Sequence, residues 1–293
     1  MAVSHEFSAD TQEPPALVDT HAHLHWPSLA ADIDGVLSRA RAAGVVRILT
    51  LGTEPRSCRA ATEVAEQHQE VYAAVGLHPG DIPPDPEAAF DEICSLLSHP
   101  RVVAVGETGL DYFHAGNPPR QAQIDAFTRH LEWAAQTGKP VCVHNREATD
   151  DVMRLVGHHA GRLTPVLHCY TGDLATARAA VAMGCYISFA GNVTYPTLRD
   201  LLAVAADVPD ERVLLETDAP FLAPQPQRGR RNEPAHITST YDVVAAARGT
   251  TRVALGRLVA ANAQRLFRWP ALSMHSGALH SGEGMEHEND HSL

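Results

Sequence analysis

Short β-branched apolar runs recur along this chain, and most of them end in polar residues of the kind that bind metal ions. The runs are 16–19, 45–51, 71–77, 102–105, 141–143, 166–167, 186–189 and 213–215. Longer Ala- and Leu-rich stretches with helical spacing lie between them, for example Leu29–Ala43, Arg120–Thr137 and Leu174–Met183. Continuously apolar strands are what a parallel sheet covered on both faces requires, and the intervening stretches are long enough for crossover helices. Eight such units predict a (β/α)8 TIM barrel in a single domain. An open doubly wound sheet is the competing architecture, but no Gly-rich dinucleotide fingerprint follows the first run.

The barrel reading gives the strand ends a meaning. Asp19-Thr20-His21-Ala22-His23 follows the first run, Gly76-Leu77-His78-Pro79 the third, and Gly106-Glu107-Thr108-Gly109-Leu110-Asp111 the fourth. His144-Asn145-Arg146 ends the fifth, His168-Cys169-Tyr170-Thr171-Gly172 the sixth, and Glu216-Thr217-Asp218-Ala219-Pro220 the eighth. In a parallel barrel all strand C-termini meet at one rim, so His21, His23, Glu107, His144, His168 and Asp218 are expected to converge. His21 and His23 are two apart on an extended backbone and point to the same side. An isolated His-x-His is a weak signal; four further strand-end ligands make it a strong one. Imidazoles and carboxylates without thiolate suit Zn²⁺, Mn²⁺ or Mg²⁺.

Composition bounds the rest. The 293 residues are 44% hydrophobic and 20% charged, an ordinary globular balance. No stretch reaches the roughly 18 apolar residues of a membrane span, and the first 15 residues lack a signal-peptide pattern. Five scattered cysteines without a CxxC pair argue against a disulfide framework. The expectation is a cytoplasmic protein with no membrane partner. Residues 1–15 and 271–293, the latter with His275, His280, His287 and His291, read as disordered tails around a 16–270 barrel. The net charge of −12 excludes a basic DNA-coating protein; without the seven tail acids the body carries −5, compatible with an enzyme that grips phosphate through cations.

Seven motifs carry a family likeness: the His-x-His after the first strand, GLHP, VGETGLDY, VHNREA, LHCYTG, ISFAGNVTY, and LLETDAPFLAP followed by RGRRNEP. Over about Leu17–Phe267 the chain resembles the TatD family of metal-dependent deoxyribonucleases, within the amidohydrolase-like barrels. The resemblance implies a two-metal hydrolase cleaving phosphodiester bonds of DNA, as a 3′-5′ exonuclease on single strands. His21 and His23 would bind the first metal, Glu107 would bridge, and His144 and His168 would bind the second. Asp218 would contact the first metal and the attacking water, as general base. Related barrels leave other substrates open: a lactone, an amide, a non-nucleic-acid ester, or aminoacyl-tRNA. A barrel of this size can act as a monomer, which is the expected state.

Other residues have two readings each. Asp218 is a ligand or a helix cap, and His78 contacts phosphate or packs beside Pro79. Arg146 touches a phosphate or pairs with an acid. Arg228, Arg230 and Arg231 form the densest basic run in a chain whose single lysine is Lys139. They are a solvated loop, a fork for the DNA backbone, or a brace, with Arg228 the substrate-binding candidate and Arg231 the more structural. Tyr112, Phe113 and Tyr195 either stack on bases or pack. The segment Phe113–Pro119, with His114 and Asn117, departs from the family pattern and is expected to add a rim contact.

Overall fold

The computed structural model describes residues 16–269; the expected tails lie outside the described residues. Eight strands run β1 (Leu17–Ala22), β2 (Val45–Leu51), β3 (Val71–Val75), β4 (Val102–Asp111), β5 (Val141–Arg146), β6 (Pro165–Leu167), β7 (Tyr186–Phe189) and β8 (Val213–Leu215). They pair in parallel in sequence order. A bridge between Ala22 and Ala219 joins the last strand region to the first and makes the barrel. Strands β1, β3, β6, β7 and β8 are buried along their whole length, as strands covered on both faces must be. The fold is the TIM barrel that the alternating pattern predicts.

Local chemistry fixes the helices around it. Glu54 caps helix Pro55–Gln67 by accepting from the backbone of Arg56 and Ser57, and the Ser57 hydroxyl in turn accepts from the Glu54 amide. Helix Arg120–Thr137 stops at Gly138, whose φ of 67° other residues resist. The last described helix, Arg252–Phe267, packs on β1 and β8. In helix Ile237–Ala247, the buried Tyr241 hydroxyl donates to the Val18 carbonyl at 3.0 Å and accepts from the Val18 amide at 3.2 Å.

Several elements differ from expectation: β1 and β5 each run three residues further and β3 stops two residues earlier, while one helix and β4 differ more. The single helix expected over Leu29–Ala43 is two, Pro27–Ala30 and Ile33–Ala42, because Asp32 leaves helical geometry at φ −139° and ψ 42°. Strand β4 continues six residues past Val105, through a polar sequence that hides it. Gly109 makes that possible: at φ 140° a Cβ would stand 2.0 Å from the His144 carbonyl oxygen. The extension sets Gly109 opposite His144 and Asp111 opposite Arg146, and carries Glu107 to the rim.

Candidate metal centre

Glu107, 4% exposed, is the hub, and its two oxygens face two different sets of imidazoles. Its Oε2 lies 3.4 Å from His21 Nε2 and 3.5 Å from His23 Nε2. Its Oε1 lies 3.0 Å from His168 Nε2, 3.1 Å from His144 Nδ1 and 3.7 Å from His78 Nε2. Asp218 joins the first set, with Oδ1 3.4 Å from His23 Nε2 and 3.7 Å from His21 Nε2. It sits at φ 56°, a left-handed conformation that Asp adopts more readily than most residues. All six predicted ligands are therefore brought together, as the convergence of parallel strand ends demands.

A second layer decides which ring nitrogen each imidazole presents. His23 Nδ1 donates to the Leu51 carbonyl at 3.0 Å, leaving Nε2 for the carboxylates. His168 Nδ1 donates to Glu216 at 3.2 Å; the same buried carboxylate accepts from the Cys169 amide at 2.7 Å and the Ser188 hydroxyl at 2.5 Å. His144 Nε2 donates to Asp111 at 3.2 Å, turning Nδ1 toward Glu107. Carboxylate or carbonyl partners on the far nitrogen are the usual support of metal-ligating histidines.

The residues fit a cation. His21 is fully buried, stacks on His168 with 4.0 Å between centroids, and neither of its ring nitrogens makes a hydrogen bond. An interior that orphans two polar atoms is costly unless something accepts the lone pair. Three trios of ligand atoms lie within 4.8 Å of one another: His21 with His23 and Glu107, His21 with His168 and Glu216, and His78 with Glu107 and His144.

The electrostatics agree. Burial would raise Glu107, but His168, His144 and His21 hold it well below the usual carboxylate range. Burial likewise opposes, yet His23, His21 and His168 depress, the Asp218 carboxyl. His168 is buried too, and Glu107 and Glu216 still lift it well above the ordinary imidazole range. His21 moves the other way, lowered by burial and by the charge on His168. Ionised carboxylates holding protons on their histidines are a site where a cation displaces protons on binding. Beneath it, burial raises Asp19 to about 8 despite its bonds from Thr217.

A cavity of about 960 Å³ opens over the centre. His78 and Arg146 line it, and burial pushes His78 down to about 4. Arg228 is not among the lining residues; its guanidinium lies 4.0 Å over the Tyr195 ring. Arg231 is a brace, bonded to the Ser28 carbonyl and, at 3.0 Å, to Glu233. Of the three aromatics, Tyr112 donates to Asp151, Tyr195 donates to the Ala223 carbonyl, and Phe113 carries Arg146 on its ring at 4.1 Å. The departing segment does reach the cavity: His114 bonds Asp111 at 2.8 Å, and both His114 and Asn117 line the wall. Sequence reasoning missed Glu216 and Asp111 as partners of His168 and His144, although an acid ending an apolar strand is a signal. It also missed Trp26 and Phe221 on the cavity wall, for which no pattern spoke.

A parallel eight-stranded barrel with imidazoles and carboxylates gathered at its strand ends is the architecture of the amidohydrolase-like, metal-dependent hydrolases. The family described as TatD related DNase matches residues 18–268, and the chain belongs to it. It is 36% identical over 253 residues to the uncharacterized metal-dependent hydrolase YabD of Bacillus subtilis (strain 168), covering 86% of this chain and 99% of that one. It is 35% identical over 260 residues to the 3′-5′ ssDNA/RNA exonuclease TatD of Shigella flexneri serotype 5b, covering 86% of this chain and 98% of that one. The crystal structure of the TatD homolog YjjV from Escherichia coli K12 superposes with a TM-score of 0.82 at 31% identity, covering 87% of this chain and 98% of that one. The chain is thus a metal-dependent hydrolase of the TatD family, and among the described residues no helix is long and apolar enough to cross a membrane.

Proposed function

We propose that this hydrolase cleaves phosphodiester bonds of single-stranded DNA from the 3′ end, using two divalent cations. The observation that carries the reading is the division of Glu107, one oxygen toward His21 and His23 and the other toward His144 and His168. Two cations held there would supply Lewis acidity, lowering the pKa of water toward neutrality and neutralising phosphate charge. His21, His23 and Asp218 would hold the first; His144 and His168, with His78 at the edge, would hold the second.

The chain's own groups do the rest. Asp218, kept ionised by the imidazoles beside it, accepts the proton of the attacking water as general base. Glu216 and Asp111 keep the rings of His168 and His144 turned to the centre. Arg146 on the cavity wall meets the phosphate next to the scissile one, and Arg228 outside the wall meets a phosphate further along the strand. Affinity through cations and a few arginines suits a chain with a net charge of −12, and the Shigella relative's exonuclease name supports the substrate class.

The test is a chelated and reloaded protein, with Mg²⁺, Mn²⁺ or Zn²⁺, on 5′-labelled single-stranded DNA against an Asp218→Asn control. Stepwise shortening from the 3′ end that the control lacks is expected. Intact DNA under every metal, with about two metal equivalents bound, would overturn the substrate and leave the centre standing.

A further inference from the structure

The described residues expose three large apolar side chains: Trp26 at 41%, Phe113 at 50% and Phe221 at 43%. The ring of Phe113 is covered by Arg146. Trp26 and Phe221 instead meet edge to face, 5.2 Å between centroids and 73° between planes, and both line the cavity over the metal centre. Phe221 also stands edge to face with His23 at 5.9 Å. The three rings form a row that begins at a buried strand-end imidazole and ends at an exposed indole.

The backbones under these rings are pinned. Trp26 donates its amide to the His23 carbonyl at 2.9 Å, and its own carbonyl accepts from Leu29 at 2.8 Å and Ala30 at 2.9 Å. The Phe221 amide donates to the Asp218 carbonyl at 2.9 Å, while the buried Asn232 side chain donates to the carbonyls of Phe221 at 2.7 Å and Thr217 at 2.9 Å. Fixed backbone with exposed aromatic rings is a preorganised surface, which lowers the ordering entropy of whatever binds it. The other wall of the cavity is polar, with His78, Asn117 and Arg146. One wall therefore suits a sugar-phosphate chain and the other a flat π face.

We propose that Trp26 and Phe221 form the stacking site for the nucleobase attached to the scissile phosphate. The inference rests on the phosphodiesterase reading above and adds the contact that recognises the base. A base lies one sugar away from its phosphate, and the Phe221 ring stands directly beside His23, 5.9 Å between centroids. Stacking tolerates every base because each has a π face, so the site selects for the presence of a base rather than its identity.

The test uses the full-length, metal-loaded protein on two 5′-labelled strands: an oligothymidine, and the same oligomer with tetrahydrofuran abasic residues at its two 3′-terminal positions. The variants are Trp26→Ala, Phe221→Ala and Trp26→Phe. Each alanine variant is expected to raise KM on the oligothymidine about tenfold with kcat within about twofold, and to leave the abasic strand nearly unchanged; Trp26→Phe restores most of the loss. Trp133 and Trp269 are 8% and 5% exposed, so quenching of tryptophan emission on binding reports Trp26. Oligothymidine should quench it in the Asp218→Asn background, and the abasic strand should not. Equal KM effects on both strands, no effect on either, or a Trp26→Ala effect confined to self-association would overturn the site. A wild type that cleaves neither strand removes the phosphodiesterase reading instead; quenching by oligothymidine then still supports the stacking site, and its absence overturns it.

Discussion

Two fully buried histidines in this barrel live opposite lives. His130, on helix Arg120–Thr137, donates from Nδ1 to the Ala126 carbonyl at 2.7 Å and accepts the Leu77 amide at Nε2 at 3.0 Å. His21, on β1, bonds through neither nitrogen, although Glu107 lies 3.4 Å away. Both are 0% exposed, so burial does not separate them. The difference lies in whether the surrounding chain uses up the ring's hydrogen-bonding capacity. Around His130 it does, and the ring splices a helix to the loop after β3; around His21 it does not, and a ring lone pair is left for a cation from outside the sequence.

The comparison breaks first at His21. His21→Ala is expected to lower hydrolysis by more than about 100-fold and to show no rise in melting temperature with Mn²⁺ or Zn²⁺, where the wild type is expected to show one, since a ligand that binds only the native state stabilises it. Full metal content by elemental analysis in that variant would put His21 on the same footing as His130.

His130 should fail differently. His130→Ala leaves a cavity and an unsatisfied Leu77 amide, for a loss of about 3 kcal/mol in urea unfolding with metal stoichiometry intact. Burial lowers His130 from 6.5 to about 4, so the native ring stays neutral where the unfolded one takes a proton. Its contribution is therefore fully present above pH 6.5 and is lost as pH falls toward 4, over a gap worth about 3 kcal/mol. The difference in unfolding free energy between wild type and His130→Gln should shrink over that window; a difference that is flat with pH would show a ring that is not held neutral.

The smallest effect sharpens the boundary between the two cases. Glu216→Gln keeps the shape of the carboxylate beside His168 but loses its charge, and should weaken metal affinity by about 10- to 100-fold while leaving thermal stability of the metal-free protein nearly unchanged. Equal metal affinity in calorimetric titration would make Glu216 a packing group, like the partners of His130.

Much of this was legible in the sequence, for a physical reason. Parallel barrel topology turns position along the chain into position in space, so His21, His144 and Asp218 could be placed on one rim from the strand ends alone. Strand β4 reads short because Gly106–Asp111 is mostly polar and carries two glycines; only the close approach of β5 reveals why Gly109 belongs in a strand. Asp32 gave no warning that it divides two helices. The partners of the ligands were hidden because they depend on which ring nitrogen faces inward, a matter of rotation about side-chain bonds. Trp26 and Phe221 were silent for a different reason: a pattern says that a residue is aromatic, not that the backbone holds it out of the core.

The seam between the first and last strands also sets an order in time. His23 donates its amide to the Ala219 carbonyl, Asp218 donates its amide to the His21 carbonyl, and the Ala22–Ala219 bridge closes the ring between them. On the ribosome, a chain that has emerged only as far as β7 already carries His21, His23, Glu107, His144 and His168, yet lacks both Asp218 and the strand that encloses them. The gathering of the six residues and the closing of the barrel are therefore completed by the same stretch of chain.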